Sequence, residues 1–175
     1  MNAAAQVLNR PHSITADVEI PDDGAEGILV RHGGVDAGYA LYVTDGKLAW
    51  VHNYVGKGHF HVVSTEDVPP GRHELRFEFE VTGPPVIPEG KGAPGIGQLY
   101  FDGRLVGQAE VPVTTPLVLG LTSALVCGAG PGSPVCSHYE PPFEFTGILH
   151  SVTIDVSGDL IEDDEATMRR LMAQQ

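Results

Sequence analysis

The chain predicts an all-β sandwich of two antiparallel sheets. Three observations carry that expectation: apolar and polar residues alternate with period two in one stretch after another, Asp-Gly pairs join such stretches at hairpin spacing, and prolines and glycines punctuate them. Glycine and proline number 22 and 14, yet they lie between apolar runs and form no low-complexity tract. With 175 residues, 42% apolar and 19% charged, the composition is that of one globular domain with a sizeable core.

The elements follow in order. Ile14, Ala16, Val18 and Ile20 alternate with Ser13, Thr15, Asp17 and Glu19, which gives a strand with one buried face. Asp45-Gly46 lies between "YALYVT" and "KLAWVH", and Asp102-Gly103 between "QLYF" and "RLVGQ"; each predicts a hairpin with a type I′ turn. In "ELRFEFEV", Leu75, Phe77, Phe79 and Val81 face the core, while Glu74, Arg76, Glu78 and Glu80 face water. Residues 82–97 are too rich in Pro and Gly for a helix or a central strand and read as a loop. In the last strand Ile148, His150, Val152, Ile154 and Val156 share one parity, which predicts an inward His150. The stretch "CGAGPGSPVCSHYEPPFEFTG" leads into that strand, with Phe143 and Phe145 expected to be buried together. Only the end looks helical: acids at 159 and 162–165 precede Arg169 and Arg170, in keeping with a helix dipole, and Ile161, Met168, Leu171 and Met172 form a packing stripe. The implied organisation is an N-terminal extension over 1–8, a sandwich over 9–157 and an acidic helical tail over 158–175.

Charge narrows the partners. A net charge of −13, from 23 acidic and 10 basic residues, repels phosphate backbones and anionic lipid, so neither nucleic acid nor membrane is an expected partner. No apolar run has the length of a membrane span, and Met1 to Asn9 lacks the basic start and apolar run of a signal peptide. A cytoplasmic protein is the expectation.

Four groups of side chains are candidates for chemistry. His59 and His61, two apart on a strand, with Glu66 could hold a divalent metal in the manner of part of a cupin motif, although the glycines of that motif and its second half are missing. The other reading places the histidines on the solvated face. Trp50, His52 and Tyr54 share a parity that could form an aromatic platform for a sugar, or Trp50 could belong to the core. His138 and Tyr139 stand in a loop of the kind that binds ligands at sandwich ends. Cys127 and Cys136, the only cysteines, could close a disulfide, and free thiols are favoured in a reducing compartment. No base and orienting acid stand at a catalytic spacing, so no catalytic residue is assigned.

Several phrases in one order resemble a known family. "NRPHSITADVEIP", "GAEGILVRHGG", "GYALYVTDGKLAWVHNYVG", "PPGRHELRFEFE", "GQLYFDGRLVGQ" and "GSPVCSHYEPPFEFTGILHSVTIDV" resemble the C-terminal, non-catalytic domain of one group of bacterial arylsulfatases over nearly the whole chain. The resemblance implies a jelly-roll sandwich of the concanavalin A-like kind and a sulfatase catalytic domain as partner. It does not imply sulfatase activity in this chain, because neither Cys127 nor Cys136 stands in the signature that matures to formylglycine. The functional expectation is therefore a non-catalytic accessory module, free of cofactor, that assembles with a sulfatase-type partner or with itself. The alternative is a carbohydrate-binding, lectin-like module, and a third possibility is a cupin-like metal enzyme on His59 and His61.

Overall fold

The computed structural model describes residues 5–117 and 124–161. Ten strands are present among them: β1 (His12–Ile20), β2 (Gly27–Gly33), β3 (Gly38–Thr44), β4 (Lys47–Tyr54), β5 (Gly58–Asp67), β6 (Gly71–Val81), β7 (Gly95–Phe101), β8 (Arg104–Val111), β9 (Val126–Cys127) and β10 (Ile148–Asp155). They form two five-stranded antiparallel sheets, β10-β1-β6-β7-β8 and β5-β4-β3-β2-β9. The all-β jelly-roll sandwich is thus the fold of this chain. Among the described residues no helix is long and apolar enough to cross a membrane.

Local chemistry accounts for the joints. Asp45 and Gly46, and Asp102 and Gly103, all have positive φ, as type I′ hairpins between β3 and β4 and between β7 and β8 require. The alternation in β1 and β6 sends Ile14, Ala16, Val18, Leu75, Phe77 and Phe79 into the space between the sheets, where they meet Leu41, Leu48, Trp50 and Val62. Val7, from the described part of the N-terminal extension, joins the same core.

Three expectations change. The loop expected over 82–97 is shorter, because Gly95 and Gly97 belong to β7, where they permit close packing: a Cβ on Gly97 would lie 2.7 Å from Val62 of the facing sheet. His150 does not face inward. A bulge where β1 passes from Asp17 to Val18 pairs Asp17 with Ser151 and Val18 with Leu149, so His150 is the extra residue and its exposed ring meets Glu19 at 2.5 Å. Leu149, Val152, Ile154 and Val156 then take the core side. Finally, residues 158–161 of the expected tail are not helical, and the rest of that expected helix lies outside the described residues.

The stretch from Gly128 to Gly147 is a strap laid over the outer face of the β5-β4-β3-β2-β9 sheet. Its backbone bonds to β2 and the residues before it: Gly128 N–H to Leu29 O (3.1 Å), Ile28 N–H to Phe143 O (2.9 Å) and Thr146 N–H to Glu26 O (2.8 Å). Gly27, at φ 123°, allows this, since a Cβ there would lie 2.3 Å from the Glu144 carbonyl. Beneath the strap a second apolar cluster forms from Ile28, Ala40, Tyr42, Ala49 and Val51 with Val135, Cys136 and Tyr139. Phe143, at φ 44°, turns the chain between the two expected partners: Phe143 joins this outer cluster, while Phe145 packs on the main core.

Candidate functional site

Packing between the sheets and under the strap removes most of the expected ligand residues from solvent. Trp50 is 3% exposed and stacks on Phe77 across the sandwich, with ring centroids 4.2 Å apart and planes 13° from parallel, so no face remains for a sugar. His52 is buried beside it and accepts the Thr115 N–H at 3.0 Å on Nε2, which makes it a neutral ring protonated at Nδ1. Burial lowers its pKa to about 3. Tyr54 is half-buried, and its hydroxyl donates to Gly90 O at 2.7 Å. Tyr139 is buried too, accepts Val135 N–H at 3.0 Å and stacks on Phe143. The aromatic-platform reading of Trp50, His52 and Tyr54 is therefore corrected to a structural one. Of these five residues only His138 is exposed, and its ring stacks on His61 at 4.3 Å.

The metal alternative is also corrected. His59, which is exposed, meets the Val135 carbonyl at 3.1 Å, and His61, half-buried, stacks on the exposed His138. Glu66, of opposite parity on β5, instead pairs with Arg104. Among the described residues no group of three or more His, Cys, Asp or Glu side chains is arranged to hold a metal ion. Cys127 and Cys136 are free thiols, one exposed and one buried, so the disulfide alternative is not the arrangement seen. Burial raises both thiol pKa values, which disfavours the thiolate a nucleophile needs.

A different group of polar residues is brought together on the outer face of the other sheet. Pairing of β10, β1 and β6 sets Ser151, Asp17 and Glu74 in one rung and Thr153, Thr15 and Arg76 in the next. Of these, Ser151, Asp17, Glu74, Thr153 and Thr15 line an open cleft together with Arg72, His73 and Asp102. Arg72 grips Asp17 with a two-pronged contact, Nε to Oδ1 at 3.1 Å and Nη2 to Oδ2 at 2.9 Å. That bond holds the Asp17 carboxyl below the usual carboxylate range. His73 Nδ1 lies 2.6 Å from Asp102 Oδ2 and its Nε2 lies 2.8 Å from Pro70 O, an arrangement in which both ring nitrogens donate. Partial burial disfavours the charge on this imidazole, but the bonds to Asp102 and Pro70 outweigh it and raise the pKa. For Asp102, burial acts upward and is overcome by the Glu74 N–H, at 2.8 Å, and by His73. Beside the cleft, Arg76 donates to Thr15 Oγ1 at 3.2 Å and to Glu78 at 2.8 Å.

The cleft thus offers three hydroxyls, those of Thr15, Ser151 and Thr153, and charged groups of which Asp17, Arg72, His73 and Asp102 are held by neighbours before any ligand arrives. Sequence reasoning placed Asp17, Glu74 and Arg76 on outward faces without joining them. The pairing of β1 with β6 is the missing step, and its one legible trace is the match of opposite charges, Asp17 with Arg72, far apart in the chain.

No family model matches the sequence, and no curated protein matches it. Solved structures do match in fold. The mouse laminin α1 chain, domains LG4-5, superposes with a TM-score of 0.60 at 16% identity, covering 93% of this chain and 39% of that one. A CBM40 of Ruminococcus gnavus IT-sialidase gives 0.56 at 14% identity, covering 90% and 81%, and the same domain bound to α2,3 sialyllactose gives 0.52. The receptor binding domain of botulinum neurotoxin D gives 0.55 at 10% identity, covering 99% and 40%. At these identities the likeness establishes a lectin-like jelly roll as the fold. This chain spans about two fifths of the laminin chain, whose coverage is 39%.

Proposed function

We propose that this domain is a non-catalytic carbohydrate-binding module that takes a neutral glycan in the cleft on the outer face of β10, β1 and β6. The observation that carries the reading is the prearranged polar rung there. Thr15, Ser151 and Thr153 present hydroxyls, while Arg72 and Asp17 hold each other in the plane needed to bond paired sugar hydroxyls. Glycoside hydrolysis needs a carboxyl kept protonated near neutral pH. Asp17 and Asp102 are both held the other way, fully ionised. The CBM40 neighbour bound to sialyllactose supports a sugar as ligand by analogy of fold. The anionic sugar does not carry over: a sialic acid carboxylate would meet Asp17, Glu74 and Asp102 on a chain of charge −13, and the cations Arg72 and His73 are already engaged by carboxylates.

A glycan array spanning neutral and sialylated oligosaccharides, followed by calorimetric titration, tests this. A neutral glycan is expected to bind with a Kd between about 10 μM and 1 mM, and Asp17→Ala to weaken it at least about tenfold with an unchanged circular dichroism spectrum. A blank array at about 100 μM protein, or affinity indifferent to Asp17 and Arg72, would overturn it.

The phrases that resemble arylsulfatase C-terminal domains favour a second reading, an accessory module beside a sulfatase-type catalytic partner. None of the structures named above is a sulfatase. A neighbouring reading frame with the formylglycine signature would support this second role, and its absence would leave glycan binding alone.

A further inference from the structure

A sugar presents two kinds of surface, hydroxyls around its edge and C–H groups on its faces, and a site that holds it needs a partner for each. The cleft meets only the first need: among the described residues no apolar side chain lines it. Trp50 and His52, the rings the sequence offered for the second, are buried.

An apolar surface does adjoin the cleft. The next outward rung along β1 joins Ile148, Glu19 and Arg72, two residues from the rung of Ser151, Asp17 and Glu74. That spacing is about 7 Å, on the scale of one pyranose ring. Arg72 links the two, since it stands in this rung and also lines the cleft. Ile148 is 55% exposed, and of the large apolar side chains exposed among the described residues it alone belongs to this sheet.

The β10 bulge adds a ring beside it. Because Val18 pairs with Leu149 and Asp17 with Ser151, His150 is inserted between two paired residues and is turned to the outer face, where it is exposed. The Glu19 carboxylate accepts a hydrogen bond from His150 Nε2 at 2.5 Å, which fixes the ring in place. His150 is thus an exposed ring, held by a neighbour, next to the one exposed apolar side chain of the sheet.

We propose that Ile148 and His150 are the apolar platform of the glycan site and carry the sugar next to the one held in the cleft, so that the preferred ligand is a neutral chain of at least two sugars. The inference rests on the reading of the cleft as a glycan site. The first sugar bonds through its hydroxyls to Asp17, Arg72 and Ser151, and the second lays a C–H face on the imidazole and the isoleucine.

An array of neutral mono-, di- and trisaccharides probed with the full chain, followed by NMR titration of the strongest disaccharide and of its component monosaccharides, tests this. The disaccharide should bind at least about tenfold more tightly than either component. Ile148→Ser with His150→Ala should weaken the disaccharide at least about fivefold and leave monosaccharide affinity within about twofold, which also shows that the variant is folded. His150→Phe, which keeps a flat ring without the bond to Glu19, should weaken the disaccharide less than His150→Ala does. A blank array would overturn the glycan reading and the platform together. Glycan binding that the double variant leaves untouched, or weakens equally for mono- and disaccharide, would overturn the platform alone. So would a His150→Phe variant as weak as His150→Ala, because the ring would then act through its nitrogens and not through its face.

Discussion

Acid should unfold this protein through two histidines that no functional reading requires. His12 and His52 line a small, largely enclosed cavity of about 20 Å³ at one end of the core, together with Tyr39, Trp50 and Phe79. His12 donates to Arg10 O at 3.0 Å, and His52 accepts from Thr115. Burial is the main cause that lowers their pKa values from 6.5, to about 4 for His12 and about 3 for His52. A folded pKa below the unfolded one means that the unfolded chain binds more protons as the pH drops below 6.5, so stability falls with pH over that range. At pH 4.5 the linkage integral is about 2.5 kcal/mol for each ring relative to pH 8, or about 5 kcal/mol together, against a total of about 5–15 kcal/mol for a typical domain.

The window separates this effect from the other titrations. Asp17, Asp102 and Asp155 have folded pKa values below 3.8, so their stabilisation is intact above that pH and is lost only below it. His73 has a raised pKa, so its contribution is complete below 6.5 and is lost as pH rises through the folded value, the opposite sign in a different range. His32 and His61, also pushed down, chiefly by burial, act in the same direction as the cavity pair. Urea unfolding followed by fluorescence of Trp50, the only tryptophan, is the assay. With an m-value of about 2 kcal/mol/M, the midpoint should drop by about 2.5 M between pH 8 and pH 4.5. His52→Gln, which keeps an acceptor for Thr115, should remove about half of the drop. A midpoint flat across this range, or an unchanged drop in the double variant His12→Gln with His52→Gln, would refute the reasoning.

Two further perturbations probe the packing. Gly97→Ala places a methyl 2.7 Å from Val62 and 3.0 Å from Phe77, where the sheets face each other, and should cost about 1–3 kcal/mol in urea unfolding without changing the fold. Arg31→Met should loosen the strap, because the buried guanidinium donates to Gly33 O at 2.9 Å and Pro131 O at 3.1 Å; the loss is expected to be about 2–4 kcal/mol, with amide exchange accelerated at Gly128 and Gly130 before the β1 and β6 ladder.

Period-two patterning was enough to read the inner faces of β1 and β6, and the Asp-Gly pairs located both hairpins, because those signals are local. The errors arise wherever a second layer intervenes. Trp50 lies in "LAWVH", whose outward residues Ala49 and Val51 are apolar too, and that doubled apolarity is the trace of a strand buried on both faces. It went unread because the covering strap is 128–147, a segment without strand periodicity. His150 was misplaced by a single inserted residue in β10, which reverses parity on one side of the bulge and leaves no mark in composition. The cleft needs the long-range pairing of β1 with β6 and β10, so its residues were visible one strand at a time and their assembly was not.

The two sheets are consequently unequal as binding surfaces, and charge sharpens the difference. The outer face of the β5-β4-β3-β2-β9 sheet is occupied by the strap, whose Val135, Cys136, Tyr139 and Phe143 fill the space an incoming ligand would need. Across the outer face of the other sheet, Asp17, Glu19, Glu74, Glu78, Glu80 and Asp155 outnumber Arg72 and Arg76. Such a surface gains little from long-range attraction to the anionic termini of glycans, so affinity there must come from short hydrogen bonds made at fixed geometry. Raising the salt from about 50 to 500 mM should therefore leave binding of a neutral glycan within about twofold, whereas an anionic one would change with screening. A strong fall in affinity with added salt would place the ligand somewhere other than this acidic face.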